Sequence, residues 1–528
     1  MTRFGKYQYL ILLVICCLFW LAYVWLAGTI HSGYHFMDDH LIVSINTRLQ
    51  SSGFLGVCDY YINVYEPVPR FRPMFWIMKV LEGEILGVNM YVHYAYLALL
   101  AGFTSFFLYL FARKLSFSSA ESALFVLLVL VGPQIEIWYM TGAAENRGMF
   151  FLSLALYAST YISTDKGDSF LRKLLFFTLV VITSLCKESF ILFIPSFIVI
   201  VILLPCLLRK TSILQSIREN QVLTILLLLV MAAELLYVKN RGTDFAYAGV
   251  DAGQSVFAYA GTLATYVANN WGFLLVLSPI LSFAAILAVK REIVATEGLI
   301  DRYLFLLVFV PVVVVPQIFL YTKSGLDGRY CVPLSLGVAF FLMLPLSFAR
   351  YALNELFLPY RIALVLLLAS PAIGLLAKRY QDSNNLVRYF LVRNYENKII
   401  ASIEEHAISD PKKPIVVVMD PAEIPTLENQ YALDVYIREL LKKKNPVFFY
   451  LISKSSPSSL SGLQKQFYEM AETQSKGRTL DNISDKSEIC SVVIFSNLED
   501  LFLDKSKDWF VPGLYKRVQG DEFIHYHE

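Results

Sequence analysis

Apolar runs close to the length that an α-helix needs to cross a bilayer recur along most of this chain, and that recurrence limits its fold more than any other feature. Spans are expected at 9–30, 91–111, 120–139, 148–163, 174–186, 189–208, 222–238, 271–289, 303–321, 332–348 and 362–377, about eleven in all. Composition agrees: 56% of the residues are hydrophobic and only 17% charged, against roughly 25% charged in an ordinary soluble domain. Neither a disordered chain nor a water-soluble enzyme fits. Lys and Arg number 45 and Asp and Glu 43, so no basic field exists for a nucleic acid, which is not an expected partner.

The first run follows Arg3 and Lys6 and is too long for the core of a typical signal peptide, so an uncleaved first helix with a cytoplasmic N-terminus is expected. Threading the spans from that start places Arg113 and Lys114, Arg172 and Lys173, Arg209 and Lys210, Lys290 and Arg291, and Arg350 in short cytoplasmic loops, as the positive-inside rule requires. The opposite face then carries loop 31–89, turn 141–147, the junction Lys187-Glu188, loop 239–270, turn 322–329 and the whole C-terminal tail. The two long loops are expected to form amphipathic surface helices.

Residues 1–377 therefore read as a transmembrane domain and 378–528 as an extracytoplasmic one. In the second, strands are expected at 414–420, 447–452 and 490–496, alternating with helices at 433–444 and 459–471, which points to a small soluble α/β domain on a parallel sheet. No Gly-rich phosphate loop follows any of these strands, so nucleotide binding is not expected there. Cys58 and Cys490 are the two cysteines placed well outside the membrane, and a bond between them stays open.

Most of the unusual polar groups fall on the outer face. Directly after the first span, His31, His35 and His40 surround the pair Asp38-Asp39. Neighbouring side chains of an extended segment point to opposite sides, so one carboxylate can serve as a base while the other orients a helix or a cation. The same segment offers imidazoles and a carboxylate to a divalent metal such as zinc or manganese, with His31, His35 and His40 as ligands, although the spacing matches no closed structural zinc pattern. Arg70-Phe-Arg72-Pro73 places guanidinium forks near the headgroup level, suited to a specific phosphate or to bulk lipid. Further on come Asn89 and His93, Glu145-Asn146-Arg147, Lys187-Glu188, and Asp327-Gly328-Arg329-Tyr330 with Pro333. Ionisable residues beside apolar segments usually face a cavity or one another.

In this order the motifs resemble those of the C-type (GT-C) superfamily of integral-membrane glycosyltransferases, and within it the protein O-mannosyltransferase-like group that includes the transmembrane-and-tetratricopeptide mannosyltransferases. The resemblance rests on Asp38-Asp39, Arg72-Pro73, Gly87-Val-Asn89 before His93, Leu185-Cys-Lys187-Glu188 and Arg329-Tyr330-x-x-Pro333, and it covers roughly the first 350 residues. The tail carries no tetratricopeptide repeats, and 143–147 matches the group's corresponding turn only loosely.

The resemblance implies transfer of a sugar from a polyprenyl-phosphate-linked donor to a lipid, glycan or protein acceptor on the non-cytoplasmic face, with inversion. Asp38 or Asp39 is then the catalytic base, and Arg72, Lys187 and Arg329 bind the donor phosphate. His93, Glu145, Arg147, Glu188 and Tyr330 bind substrate or support those groups. A bacterial inner membrane with the site on the periplasmic or extracellular side is expected, the endoplasmic reticulum being the alternative. The competing reading from the same outer cations is a transporter or flippase of lipid-linked saccharides, though no paired repeat of the kind transporters carry is present.

Overall fold

The computed structural model describes residues 3–31, 33–35, 38–65, 70–164, 170–240, 257, 260–261, 264, 299–321, 328–343, 401–403, 405, 411–420, 432–442, 444–452, 462–495, 498–519 and 523–527. The chain is mostly helical and membrane-associated. Among the described residues four helices are long and apolar enough to cross a bilayer: Tyr7–Leu26, Met90–Lys114, Glu188–Arg209 and Ile213–Asn240. The expected spans at 271–289 and 362–377, and loop 239–270 apart from its first two residues and four isolated helical ones, lie outside the described residues.

One expected span is shorter than its apolar run. The run at 120–139 breaks into helix α5 (Ser119–Leu130) and a 3-10 turn (Pro133–Trp138), because Gly132 takes φ 139° and Pro133 withholds an N–H. The run at 332–348 is helical over Leu334–Met343, here α12, and 344–348 lie outside the described residues. The other elements of this half are α1 (Arg3–Leu26), α2 (Asp39–Tyr60), α3 (Pro73–Leu86), α4 (Met90–Lys114), α6 (Glu145–Thr164), α7 (Phe170–Ser184), α8 (Glu188–Ile191), α9 (Ile194–Arg209), α10 (Ile213–Asn240) and α11 (Leu299–Leu320).

Packing follows from small residues and rings. A Cβ at Gly102 would lie 2.7 Å from Cys17 Cα, so the glycine lets α4 close on α1, and Trp20 Nε1 donates to Ser105 Oγ (2.8 Å) one turn further along. Phe340 of α12 packs against Phe111, Phe125 and Phe309, joining α4, α5 and α11. At the bundle end that carries Arg113, Lys173 Nζ donates to Glu219 O (2.8 Å) and Arg209 pairs with Glu219 (2.5 Å). Of the basic residues expected on one face, Lys173 and Arg209 thus meet at one end, while Lys290, Arg291 and Arg350 lie outside the described residues. The polar motifs expected on the other face gather at the opposite end.

The tail holds a five-stranded sheet in the order β2-β1-β3-β5-β4, with β1 (Ile415–Met419), β2 (Val447–Leu451), β3 (Ser491–Phe495), β4 (Lys516–Gln519) and β5 (Phe523–His527). The three expected strands are parallel neighbours, Val416 facing Phe448 on one side and Val492 on the other. The sheet as a whole is mixed, because β5 runs antiparallel to both β3 and β4. Alternating residues of β1 are buried on both faces: Val416 and Val418 join Phe502 and Phe510, while Ile415 and Val417 belong to the same apolar core as Tyr34 of the membrane half. Helix Gly462–Ser475 lies close to its expected place, and the expected helix at 433–444 is a short helical turn that widens over Tyr436–Leu440. All seven cysteines are free, so no bond joins Cys58 and Cys490.

Candidate active site

Residues 33–35 and 38 with the start of α2, the N-terminal half of α3, the turn before α6, the α7–α8 junction and the turn before α12 come together at the end of the bundle away from Arg113. Local chemistry sets each in place. Arg72 has a non-helical backbone (φ −143°, ψ 52°) and Pro73 starts α3, where a missing N–H costs nothing. Gly87 ends that helix at φ 64°, and His93 Nε2 lies 2.9 Å from Gly87 O, tying α3 to the first turn of α4. The Met74 N–H donates to Leu185 O (3.0 Å), docking α3 on the end of α7.

The two adjacent aspartates have different surroundings. Asp39 is 1% exposed; its Oδ2 accepts the His35 backbone N–H (2.9 Å) and the Tyr94 hydroxyl (3.0 Å), and its Oδ1 accepts the Thr141 hydroxyl (2.8 Å). Burial raises its pKa above the usual aspartate value, against the opposing pull of His35 and these three donors. A carboxylate so occupied orients the loop. Asp38 is half-buried, sits at φ 67° in the left-handed region, and its carboxylate has no hydrogen-bond partner among the described residues. Its carboxylate lies against Gly142, where a Cβ would come 2.6 Å from Asp38 Cβ. Only glycine leaves room for it.

Behind the pair stands a buried ionic group on α3. Glu82 accepts two N–H groups of Arg147, from Nε at 2.8 Å and from Nη2, and Arg147 Nη1 donates to Ala143 O (2.9 Å), Asn146 Oδ1 (2.7 Å) and Thr141 O (3.3 Å). Arg147 is therefore a staple that holds turn 141–147 on α3. It has no spare fork for a substrate. Lys79 Nζ donates to Thr141 O (2.6 Å) and is 1% exposed. Burial first, then the neighbouring Arg147 charge, lower its pKa to about 8, while Glu82, Asp39 and Asp38 oppose that shift.

In front lies a second group. Lys187 forms a buried ion pair with Glu145, and its Nζ stands 4.9 Å from the Tyr330 ring centre. Arg329 interacts with both Glu145 and Asp38, and its backbone N–H is held by Glu136, whose carboxylate a Cβ at Gly328 would strike. Glu188 accepts the Phe71 N–H (2.9 Å) and pairs with Arg70 at 3.6 Å; Arg72 is within its electrostatic reach and packs on Phe75 and Trp76. Arg70, Arg72, Lys187 and Arg329 stand beside the carboxylates of Asp38, Glu136, Glu145 and Glu188, so four cations meet four carboxylates.

No protein-family model matches the chain, and no curated protein is similar to it. Its chemistry is read from its own geometry.

Asp38, Asp39, Arg72, His93, Glu145, Arg147, Lys187, Glu188, Arg329 and Tyr330 are all brought to this end of the bundle. Of the expected metal set, His35 packs edge-on against Tyr94 at 6.0 Å and His40 is buried at the start of α2, while the His31 side chain lies outside the described residues. Among the described residues no three His, Cys, Asp or Glu side chains converge as ligands. Lys79, Glu82, Tyr94, Glu136, Thr141 and Gly142 were not singled out from the sequence. Lys79 and Glu82 carried a usable signal: they are spaced i, i+3 in a helix whose one other charged residue is Glu84.

Proposed function

We propose that this chain is an integral-membrane glycosyltransferase of the GT-C kind, with about eleven spans, that transfers a sugar from a polyprenyl-phosphate-linked donor to an acceptor hydroxyl on the non-cytoplasmic face of a bacterial inner membrane. The observation that carries the reading is that Asp38, whose carboxylate has no hydrogen-bond partner among the described residues, lies within electrostatic reach of the cation Arg329.

An inverting single displacement needs one positioned base and stabilisation of a departing phosphate. The acceptor oxygen attacks the anomeric carbon, its proton passes to Asp38, and the bond from anomeric carbon to phosphate oxygen breaks with the electron pair leaving on polyprenyl phosphate. Arg329 and Lys187 face the accumulating charge, with Arg72 and Arg70 behind them. Asp39, fixed by His35, Tyr94 and Thr141, keeps Asp38 aimed. An apolar groove of about 290 Å³ between α1, α4 and α5, lined by Phe19, Trp20, Tyr109 and Leu127, offers space in the bilayer for the donor chain.

The test is transfer from radiolabelled polyprenyl-phosphate sugars to membrane-extract acceptors in proteoliposomes. Asp38→Asn is expected to fold and to lose at least about 100-fold in rate, the lower range for a general base. Full activity of Asp38→Asn would sink the proposal, and intact labelled lipid crossing the bilayer without bond cleavage would establish a carrier instead.

A further inference from the structure

The loop that carries the acidic pair is held from two sides, and one of them is the C-terminal domain. Tyr34, 6% exposed, donates its hydroxyl to Ala432 O (3.0 Å) and packs its ring on Tyr436 with centroids 5.0 Å apart. Ala432, Leu433, Val435, Tyr436 and Ile437 lie in the same apolar core as Tyr34. Glu439, one turn further on, lies near Thr47 and Arg48 of α2. The segment is in turn fixed to its own domain: Asp434 accepts Arg478 Nη1 (2.7 Å), and Arg478 stacks over Phe449 of β2.

On the other side of Tyr34, the backbone N–H of the next residue, His35, is one of the three donors to Asp39. A shift of Tyr34 moves that donor directly, and the Asp38 carboxylate is joined to Asp39 by one peptide unit.

We propose that the C-terminal domain is a working part of this site: through Tyr34, a positioning residue, docking of segment 432–440 holds the Asp39 network and therefore the aim of Asp38. The consequence for turnover rests on the transferase reading, but the latch itself does not.

The experiment is hydrogen–deuterium exchange on the full chain in lipid nanodiscs, read at the peptide covering 33–43, for wild type, Tyr34→Phe, Tyr436→Ala and Tyr436→Phe, alongside transfer kinetics. Tyr34→Phe removes one hydrogen bond and is expected to raise exchange in that peptide about fivefold, and Tyr436→Ala to raise it more. Tyr436→Phe, which keeps the ring contact, is expected to raise it less than Tyr436→Ala does. Turnover should fall in step with the loss of protection, with KM for the donor within about twofold, since no phosphate contact is touched. Exchange at 33–43 unchanged in both Tyr34→Phe and Tyr436→Ala overturns the latch. Tyr34 lies outside the tail's own core, so Tyr34→Phe keeps the test decisive even where Tyr436→Ala unfolds the tail. Faster exchange with no transfer by any form upholds the latch and removes the transferase reading alone.

Discussion

Replacing Glu82 by Leu takes away the one carboxylate that Arg147 grips with two N–H groups, in a site where the arginine is 1% exposed and the glutamate 4%. Arg147 would keep Ala143 O, Asn146 Oδ1 and Thr141 O, but none of these carries a full negative charge. Lys79 loses the same counter-charge, so two buried cations face each other with less to screen them. Removing one partner of a buried pair costs about 3–5 kcal/mol, whereas replacing both by apolar residues of similar volume is often neutral. Glu82→Leu is therefore expected to destabilise by about 3–5 kcal/mol. Glu82→Leu with Arg147→Met should recover most of it, short of the bonds to Ala143 O and Asn146 Oδ1, each worth about 1 kcal/mol. Denaturant unfolding in detergent micelles, followed by the fluorescence of the buried Trp76 and Trp138, measures all three proteins. A single variant as stable as wild type, or a double variant as unstable as the single, would refute the claim that this pair staples turn 141–147 to α3.

Gly142→Ala should keep the fold yet lower sugar transfer about 100-fold, the effect of roughly 1 Å of misplacement at Asp38; a rate equal to wild type would show that the carboxylate does not rest on residue 142. Asp39→Asn directs an amide N–H toward hydrogen-bond donors and is expected to cost about 1–3 kcal/mol, read as a lower unfolding midpoint that Asp38→Asn does not share. Lys79 has a folded pKa near 8 against a usual 10.5, so between those values the unfolded chain binds more protons and stability rises with pH, by at most about 1.4 kcal/mol per unit. Comparing wild type with Lys79→Met across that window isolates the contribution, and equal pH slopes for the two would count against it.

Legibility from sequence divided along physical lines. Apolar run length and basic loop residues are local quantities, and they located α1, α4, α9 and α10, the end of the bundle at which Arg113, Lys173 and Arg209 lie, and the parallel core of the tail sheet. A run's length does not say whether a helix persists through it, which is why Gly132 and Pro133 shortened α5. The C-terminal hairpin of β4 and β5 went unseen because neither strand has the continuous apolar run of a buried one: Lys516, Arg517 and Gln519 fill β4 and His525 and His527 sit in β5.

At the candidate site the sequence determined the cast: two adjacent carboxylates and a set of cations beside apolar segments. Only the tertiary structure divided Asp38 from Asp39, since the donors that occupy Asp39 come from Tyr94 and Thr141, 55 and 102 residues away. The same holds for Arg147, which turned out to be consumed by Glu82 across 65 residues, and for Tyr34, whose partner lies 398 residues further on. Residue type fixes what a side chain can donate or accept. Which partner it meets, and whether any capacity is left for a substrate, depends on chain segments that only folding brings together.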